Sequence, residues 1–348
     1  MRCARHGGVG QLDDDGIWVF DTSDAYWGEV SRESMRAVNR SARREGWRQA
    51  LRQHVAPTSP ELLRYVENTT RADWYALLPL DRERTVSADV GAGWGANSFG
   101  LAPHVRRHYA VEKIAERIEF LALRAQQEDS VHVVPVRADL HALPFAPASL
   151  DVIAVNGVLE WAGLVDPHAA PGEPPRSPQT LQEAFLRQLF ALLRPGGCLY
   201  VGIENRFGRM FWRGAVDHQG LRFTSLMPRR AAGWYSRLRQ ARSPRTGQVV
   251  TDYRAWTYSL AGYVKLFRRC GFEAPQAYAA VPGYNVPTRI VPLATSGPMH
   301  YVMTQGGAMH RVRGAVRRRL HSAFAGIGLE RQVTSCYAFV CRRPESEA

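Results

Sequence analysis

The run Asp89-Val90-Gly91-Ala92-Gly93-Trp94-Gly95 is where residue type and spacing most directly imply chemistry. A glycine bend between a strand and a helix lets the backbone approach a ligand closely. No Cβ blocks the way, and left-handed dihedrals are open to glycine. With Ala96 the string also satisfies the G-x-G-x-x-G/A pattern of dinucleotide-binding turns. Glu112 lies 21 residues beyond Gly91. An acid at that distance, ending the next strand, can accept hydrogen bonds from a ribose diol. The two signals together point to a nucleoside-bearing ligand without choosing among several. A ligand-free turn and a solvated glutamate are the plain structural alternatives.

The elements that must position these residues are legible as a rhythm. TVSADV (85–90) reads as a short, mostly apolar strand running into the bend, and a helix follows. A second strand spans about His108 to Val111. Ile114, Ile118, Leu121 and Ala125 then share one helical face. VHVVPV (131–136) and LDVIAV (150–155) read as buried strands. The helix 180–193 carries Leu181, Phe185, Leu189 and Leu192 on one stripe and stops at Arg194-Pro195-Gly196-Gly197. CLYVGI (198–203) is the next strand. Strands alternating with helices at this spacing predict a parallel sheet covered on both faces. Residues 1–84 read as a helical cap or lid region beside a domain spanning 85–348. Three segments interrupt that domain, at about 163–180, 206–256 and 293–331. The last holds the basic run HRVRGAVRRRLHSAF.

Two further signals select the ligand. Val136-Arg137-Ala138-Asp139-Leu140 places an acid just after the third strand, and Asn156 follows the fourth. Leu193-Arg194-Pro195-Gly196-Gly197 precedes the fifth. These motifs, in this order over about 120 residues, resemble the class I S-adenosylmethionine (SAM)-dependent methyltransferases. The resemblance implies a Rossmann-like α/β fold, with a seven-stranded, mostly parallel sheet in the order 3-2-1-4-5-7-6 and strand 7 antiparallel. It implies SAM as cofactor. Gly91, Ala92, Gly93 and Gly95 would line its methionine part, and Asp89 would sit near its ammonium. Glu112 would hold the ribose hydroxyls. Lys113 stands where the family often has an apolar residue against adenine, so that packing would fall to its stem or to Ile114. Asp139 and Leu140 would meet the adenine edge and ring, and Asn156 would close the floor near the methionine. NGVLEW, IENRFG, TYSLAGY and PGYNVP extend the likeness to a branch associated with saccharides and natural products.

Methyl transfer to oxygen or nitrogen is an in-line displacement in which the protein mainly positions the reactants. A hydroxyl acceptor also needs a base or a metal. His218, Glu160 and Asp217 are the leading candidates for catalysis, with Glu204, Asn205 and His168 beside them. His218 is the first to test, because an unperturbed histidine titrates near neutrality. No metal-ligand spacing appears, so no metal is expected.

The formal net charge is +13 over 348 residues, carried by arginine, since Lys113 and Lys265 are the only lysines. Such a balance admits nucleic acid or acidic substrates as partners. No RNA-binding module accompanies it, so a small-molecule or saccharide acceptor is favoured over RNA. A catalytically idle scaffold of the same fold and a nicotinamide enzyme are further rivals, and a homo-oligomer stays open. The five cysteines, Cys3, Cys198, Cys270, Cys336 and Cys341, form no CxxC pair. That argues against a disulfide framework and for a reducing, cytoplasmic setting. The sequence shows neither a secretory leader nor a membrane-spanning run.

Overall fold

The structure is a computed structural model that describes residues 10–167, 169, 174–239, 252–305 and 329–345. His168, the basic run at 310–324 and most of the expected 293–331 insertion lie outside the described residues. Two compact units are present. The first comprises residues 1–158, 184–200 and 342–348, and the second 159–183 and 201–341.

In the first unit the strands are β1 (Gln11–Leu12), β2 (Trp18–Val19), β3 (Val86–Val90), β4 (Arg107–Glu112), β5 (Val133–Arg137), β6 (Leu150–Asn156) and the opening of β7 (Leu193–Glu204). Their order is β1-β2-β5-β4-β3-β6-β7. Strands β5, β4, β3 and β6 pair in parallel, with Asp89 of β3 opposite Ala110 of β4 and Ala154 of β6. Every residue of β3 is buried, as a strand covered on both faces requires. The expected order 3-2-1-4-5 is therefore present. The hairpin β1–β2 was not expected; it adds two strands at the edge, β2 running parallel to β5.

Helices α1 (Arg32–Glu45) and α2 (Trp47–His54) are separated by Gly46 at φ 90°, so the polar stretch 31–54 is two helices. Ser31 caps α1 by accepting the Ser34 N–H. Gln127, ending α5 (Ala115–Gln127), donates to the Ala42 carbonyl at 2.7 Å and accepts the Trp47 N–H at 2.8 Å, which satisfies backbone groups at the break. Met35, Val38 and Ala42 of α1 join Phe120, Leu121 and Leu123 of α5 in one buried cluster. The segment read as a cap thus shares a core with the helix that follows β4. Helix α3 (Pro60–Glu67) starts on proline, which suits a first helical turn. It ends earlier than its apolar pattern suggests. The Asn68 side chain accepts the Thr70 N–H and opens a 3₁₀ segment, Thr69–Leu77, instead. Helix α4 (Ala96–Leu101) follows the glycine bend directly.

Helix α6 (Pro178–Leu192) is capped by Ser177, which accepts the Thr180 N–H. The Arg194–Gly197 turn does not interrupt the strand after it: the Gly196 N–H donates to the Arg343 carbonyl at 3.0 Å, and the Arg343 N–H donates to the Gly197 carbonyl at 2.9 Å. β7 therefore begins at Leu193 rather than at Cys198.

The second unit continues from the end of β7 with α7 (Arg209–Trp212), α8 (Arg229–Leu238), α9 (Leu260–Arg269), β8 (Gln276–Val281), β9 (Arg289–Pro292), α10 (Gly297–Gln305), a short helix at Leu329–Val333 and β10 (Cys336–Arg342). The strand order is β7-β10-β8-β9, the expected 5-7-6 with β9 added. β10 and β8 pair antiparallel, Tyr337 opposite Ala279. Tyr263 and Phe267 of α9 pack on Phe339, with ring centroids 5.4 and 5.2 Å away. Among the described residues no helix is long and apolar enough to cross a membrane.

Candidate functional site

The bend after β3 has the backbone that its glycines license. Gly91, Gly93 and Gly95 take φ of 78°, 56° and 84°. The Gly91 and Ala92 N–H groups both donate to the Val111 carbonyl at 2.9 Å, which ties the bend to β4. A Cβ on Gly91 would lie 2.6 Å from Val158 Cγ2, and one on Gly95 would lie 2.5 Å from Leu121 Cδ2. A Cβ on Gly93 would meet nothing nearer than the Gly91 carbonyl at 3.9 Å. Packing thus explains two glycines, while the third faces open space at the mouth of the bend.

Glu112 ends β4 and is buried against that bend. Its Oε2 accepts the Gly93 N–H at 3.0 Å, and its Oε1 accepts the N–H groups of Lys113 at 2.8 Å and Ile114 at 3.0 Å. Asp89 is buried in β3, where Ser98 Oγ donates to Oδ2 at 2.8 Å. Burial pushes the Asp89 carboxyl up to about 6, against the lowering effect of Ser98 and Arg71. Ser98 was not anticipated; its only sequence signal is a hydroxyl in the first helical turns after the bend.

Asp139 follows β5, and its Oδ1 accepts the His141 N–H at 2.8 Å. Lys113 Nζ donates to Asp139 Oδ2 at 2.6 Å and lies 3.6 Å from Asp21. The Lys113 amine is thus engaged by carboxylates, and the apolar contact the resemblance asks for falls to its stem or to the buried Ile114. Both are partly desolvated, yet the pairing holds Asp139 below and Lys113 above their ordinary ranges. Leu140, half-buried, follows Asp139. Asn156 ends β6, and its amide has no hydrogen-bond partner on either atom although only 8% of the residue is exposed. A buried amide without partners is costly unless a ligand completes it. The open face of Gly93, the unmatched Asn156 amide and the Glu112 and Asp89 carboxylates suit an amino-acid-bearing nucleoside. These residues fit SAM.

The catalytic candidates lie in the second unit. His218 Nε2 is 2.9 Å from Glu204 Oε2 and 3.6 Å from Glu160 Oε1. Glu204 is the last residue of β7, and Glu160 is fully buried. The Trp161 ring meets the His218 ring edge-on at 4.5 Å. Asp217 is otherwise employed. Its carboxylate accepts the N–H groups of Gln219 at 2.9 Å and Leu221 at 3.1 Å and the Thr224 hydroxyl. These bonds close the turn that carries His218, while burial holds the Asp217 carboxyl above the ordinary range. Asn205 is likewise a staple, donating to the carbonyls of Gln332 and Thr334 at 2.7 and 2.8 Å. Among the described residues no group of three or more His, Cys, Asp or Glu side chains could hold a metal ion.

A family model for a methyltransferase domain matches residues 88–201, which contain the bend, Glu112, Asp139 and Asn156. Residues 88–201 of the chain are thus a methyltransferase domain. Similar solved structures include a phosphoethanolamine N-methyltransferase 2 from Haemonchus contortus, at 11% identity and TM-score 0.45. That match covers 90% of this chain, which spans 60% of the length of that enzyme. A putative methyltransferase from Haloferax volcanii, solved with the Trm112 activator, is 14% identical at TM-score 0.44, covering 92% of this chain and 100% of that one. A putative sarcosine dimethylglycine methyltransferase from Galdieria sulphuraria is 12% identical at TM-score 0.42, covering 81% and 86%. No curated protein sequence matches this chain significantly.

Proposed function

We propose that this methyltransferase moves the methyl group of SAM to a hydroxyl of a small-molecule or saccharide acceptor, with His218 as general base. Bound SAM supplies an electrophilic methyl on a sulfonium. Glu112 holds the ribose diol, Asp139 and Leu140 meet the adenine, and Asp89 with Asn156 attends to the methionine end. His218 accepts the hydroxyl proton as the oxygen–methyl bond forms and the sulfur–methyl bond breaks, its electron pair staying on sulfur. Glu204 and Glu160 stabilise the imidazolium that results, Trp161 holds the ring plane, and Asp217 shapes the turn beneath it. The 163–180 and 206–256 insertions supply the acceptor-binding surface, and the thiols of Cys198, Cys270, Cys336 and Cys341, none of them in a disulfide among the described residues, suit a reducing, cytoplasmic location.

The observation that carries this reading is the close approach of His218 to two carboxylates, one of them fully buried. The test is methyl transfer from radiolabelled SAM to a panel of sugars and hydroxylated small molecules, run with wild type and His218→Gln. Turnover on an acceptor that the variant loses supports the base. Equal turnover by both proteins rejects it.

A further inference from the structure

The 206–256 segment holds eleven arginines and two carboxylates, Asp217 and Asp252. Asp217 is committed to its turn, and Asp252 accepts the Tyr253 N–H at 2.8 Å. Arg206 and Arg229 are among the arginines drawn inward. Arg206 donates from Nε to the Ser225 carbonyl at 2.8 Å and from Nη2 to the Met227 carbonyl. Arg229 donates from Nη2 to the Thr257 carbonyl and lies over the rings of Trp256 at 4.7 Å, Tyr253 at 5.6 Å and Tyr258 at 5.7 Å. Its Nη1 is buried and has no hydrogen-bond partner.

Among the described residues neither guanidinium forms an ion pair with a carboxylate. Residues 240–251, which follow α8, contain none. Helix α8 begins at Arg229 with no side-chain cap and no acid in its first turn, so its end adds partial positive charge. Burial lowers the proton affinity of both arginines, and Arg229 lowers that of Arg206 further. Like charges held together in partial burial cost stability until an anion joins them. The fork of a guanidinium matches a planar or tetrahedral oxyanion, and the unmatched Nη1 supplies a donor for it.

We propose that Arg206 and Arg229 form an oxyanion subsite for a phosphate or carboxylate group. On the methyl-transfer reading, that group belongs to the acceptor.

The test uses the full-length protein and inorganic phosphate, with acetate as the carboxylate probe and chloride holding ionic strength constant. Phosphate or acetate raises the thermal midpoint of wild type saturably. Arg206→Gln and Arg229→Gln weaken that affinity about tenfold or more, the loss expected for charged hydrogen bonds. SAM titration of the same variants gives wild-type affinity, which shows that they are folded and separates this proposal from the cofactor reading. A second measurement needs no variant: phosphate protects Arg206 and Arg229 of wild type from phenylglyoxal, read by mass spectrometry. No saturable shift, an equal shift in the variants, or unprotected arginines would overturn the subsite.

Discussion

The Gly93 N–H donates to Glu112 Oε2 at 3.0 Å, so the glycine bend and the carboxylate assigned to the ribose meet directly. The bend holds the acid in place while Gly93 keeps its outer face open. That division of labour predicts different outcomes for neighbouring glycines. Gly95→Ala forces a Cβ to 2.5 Å from Leu121 Cδ2 at a φ of 84°. It is expected to destabilise the fold by about 2–4 kcal/mol, from overpacking plus left-handed strain. Gly93→Ala meets no such neighbour and costs the fold about 1–2 kcal/mol of strain. It weakens SAM binding by about 1–3 kcal/mol through steric intrusion. Urea unfolding beside calorimetric titration separates the two, and undiminished SAM affinity in Gly93→Ala would remove the bend from the cofactor site.

Asp89 gives a pH dependence. Its folded-state value of about 6 exceeds the ordinary 3.8, so between those values the folded state binds more protons than the unfolded. Its contribution is fully present below 3.8 and is lost as pH rises through 6. The loss is at most about 3 kcal/mol. Asp89→Asn flattens that part of the stability profile. SAM affinity, by contrast, is expected to rise through the same window in wild type, because the carboxylate form suits the ammonium. A stability profile that Asp89→Asn leaves unchanged would contradict this.

His218 and Asp217 separate by readout. His218→Gln should leave SAM affinity intact and lower turnover about 10²–10⁴-fold, the usual range for a lost general base. Asp217→Ala removes the acceptor of three hydrogen bonds and lowers stability by about 1–3 kcal/mol. If Asp217→Ala were as stable as wild type but inactive, the roles would be reversed.

The sheet was legible where apolar runs alternate with helical stripes, because burial on both faces leaves few polar interruptions in β3 to β7. Strands β1 and β2 were not, since two residues each among aspartates carry no period. β9 was missed for the same reason of length. The start of β7 depends on pairing with Arg343, some 150 residues away, which no local pattern encodes. Among the proposed site residues, the glycine bend and Glu112 follow from spacing, and Asn156 from the family resemblance. The Lys113–Asp139 pair and the Asp217 turn were not, because side-chain partners are chosen by tertiary packing.

Calorimetric titration of wild type and Glu112→Ala with SAM, S-adenosylhomocysteine and NAD tests the central assignment most directly. Wild type should bind SAM and S-adenosylhomocysteine and ignore NAD, and Glu112→Ala should lose about 1–3 kcal/mol of SAM affinity, the worth of charged hydrogen bonds. Unchanged SAM affinity in Glu112→Ala, or tight NAD binding with no response to SAM, would contradict it.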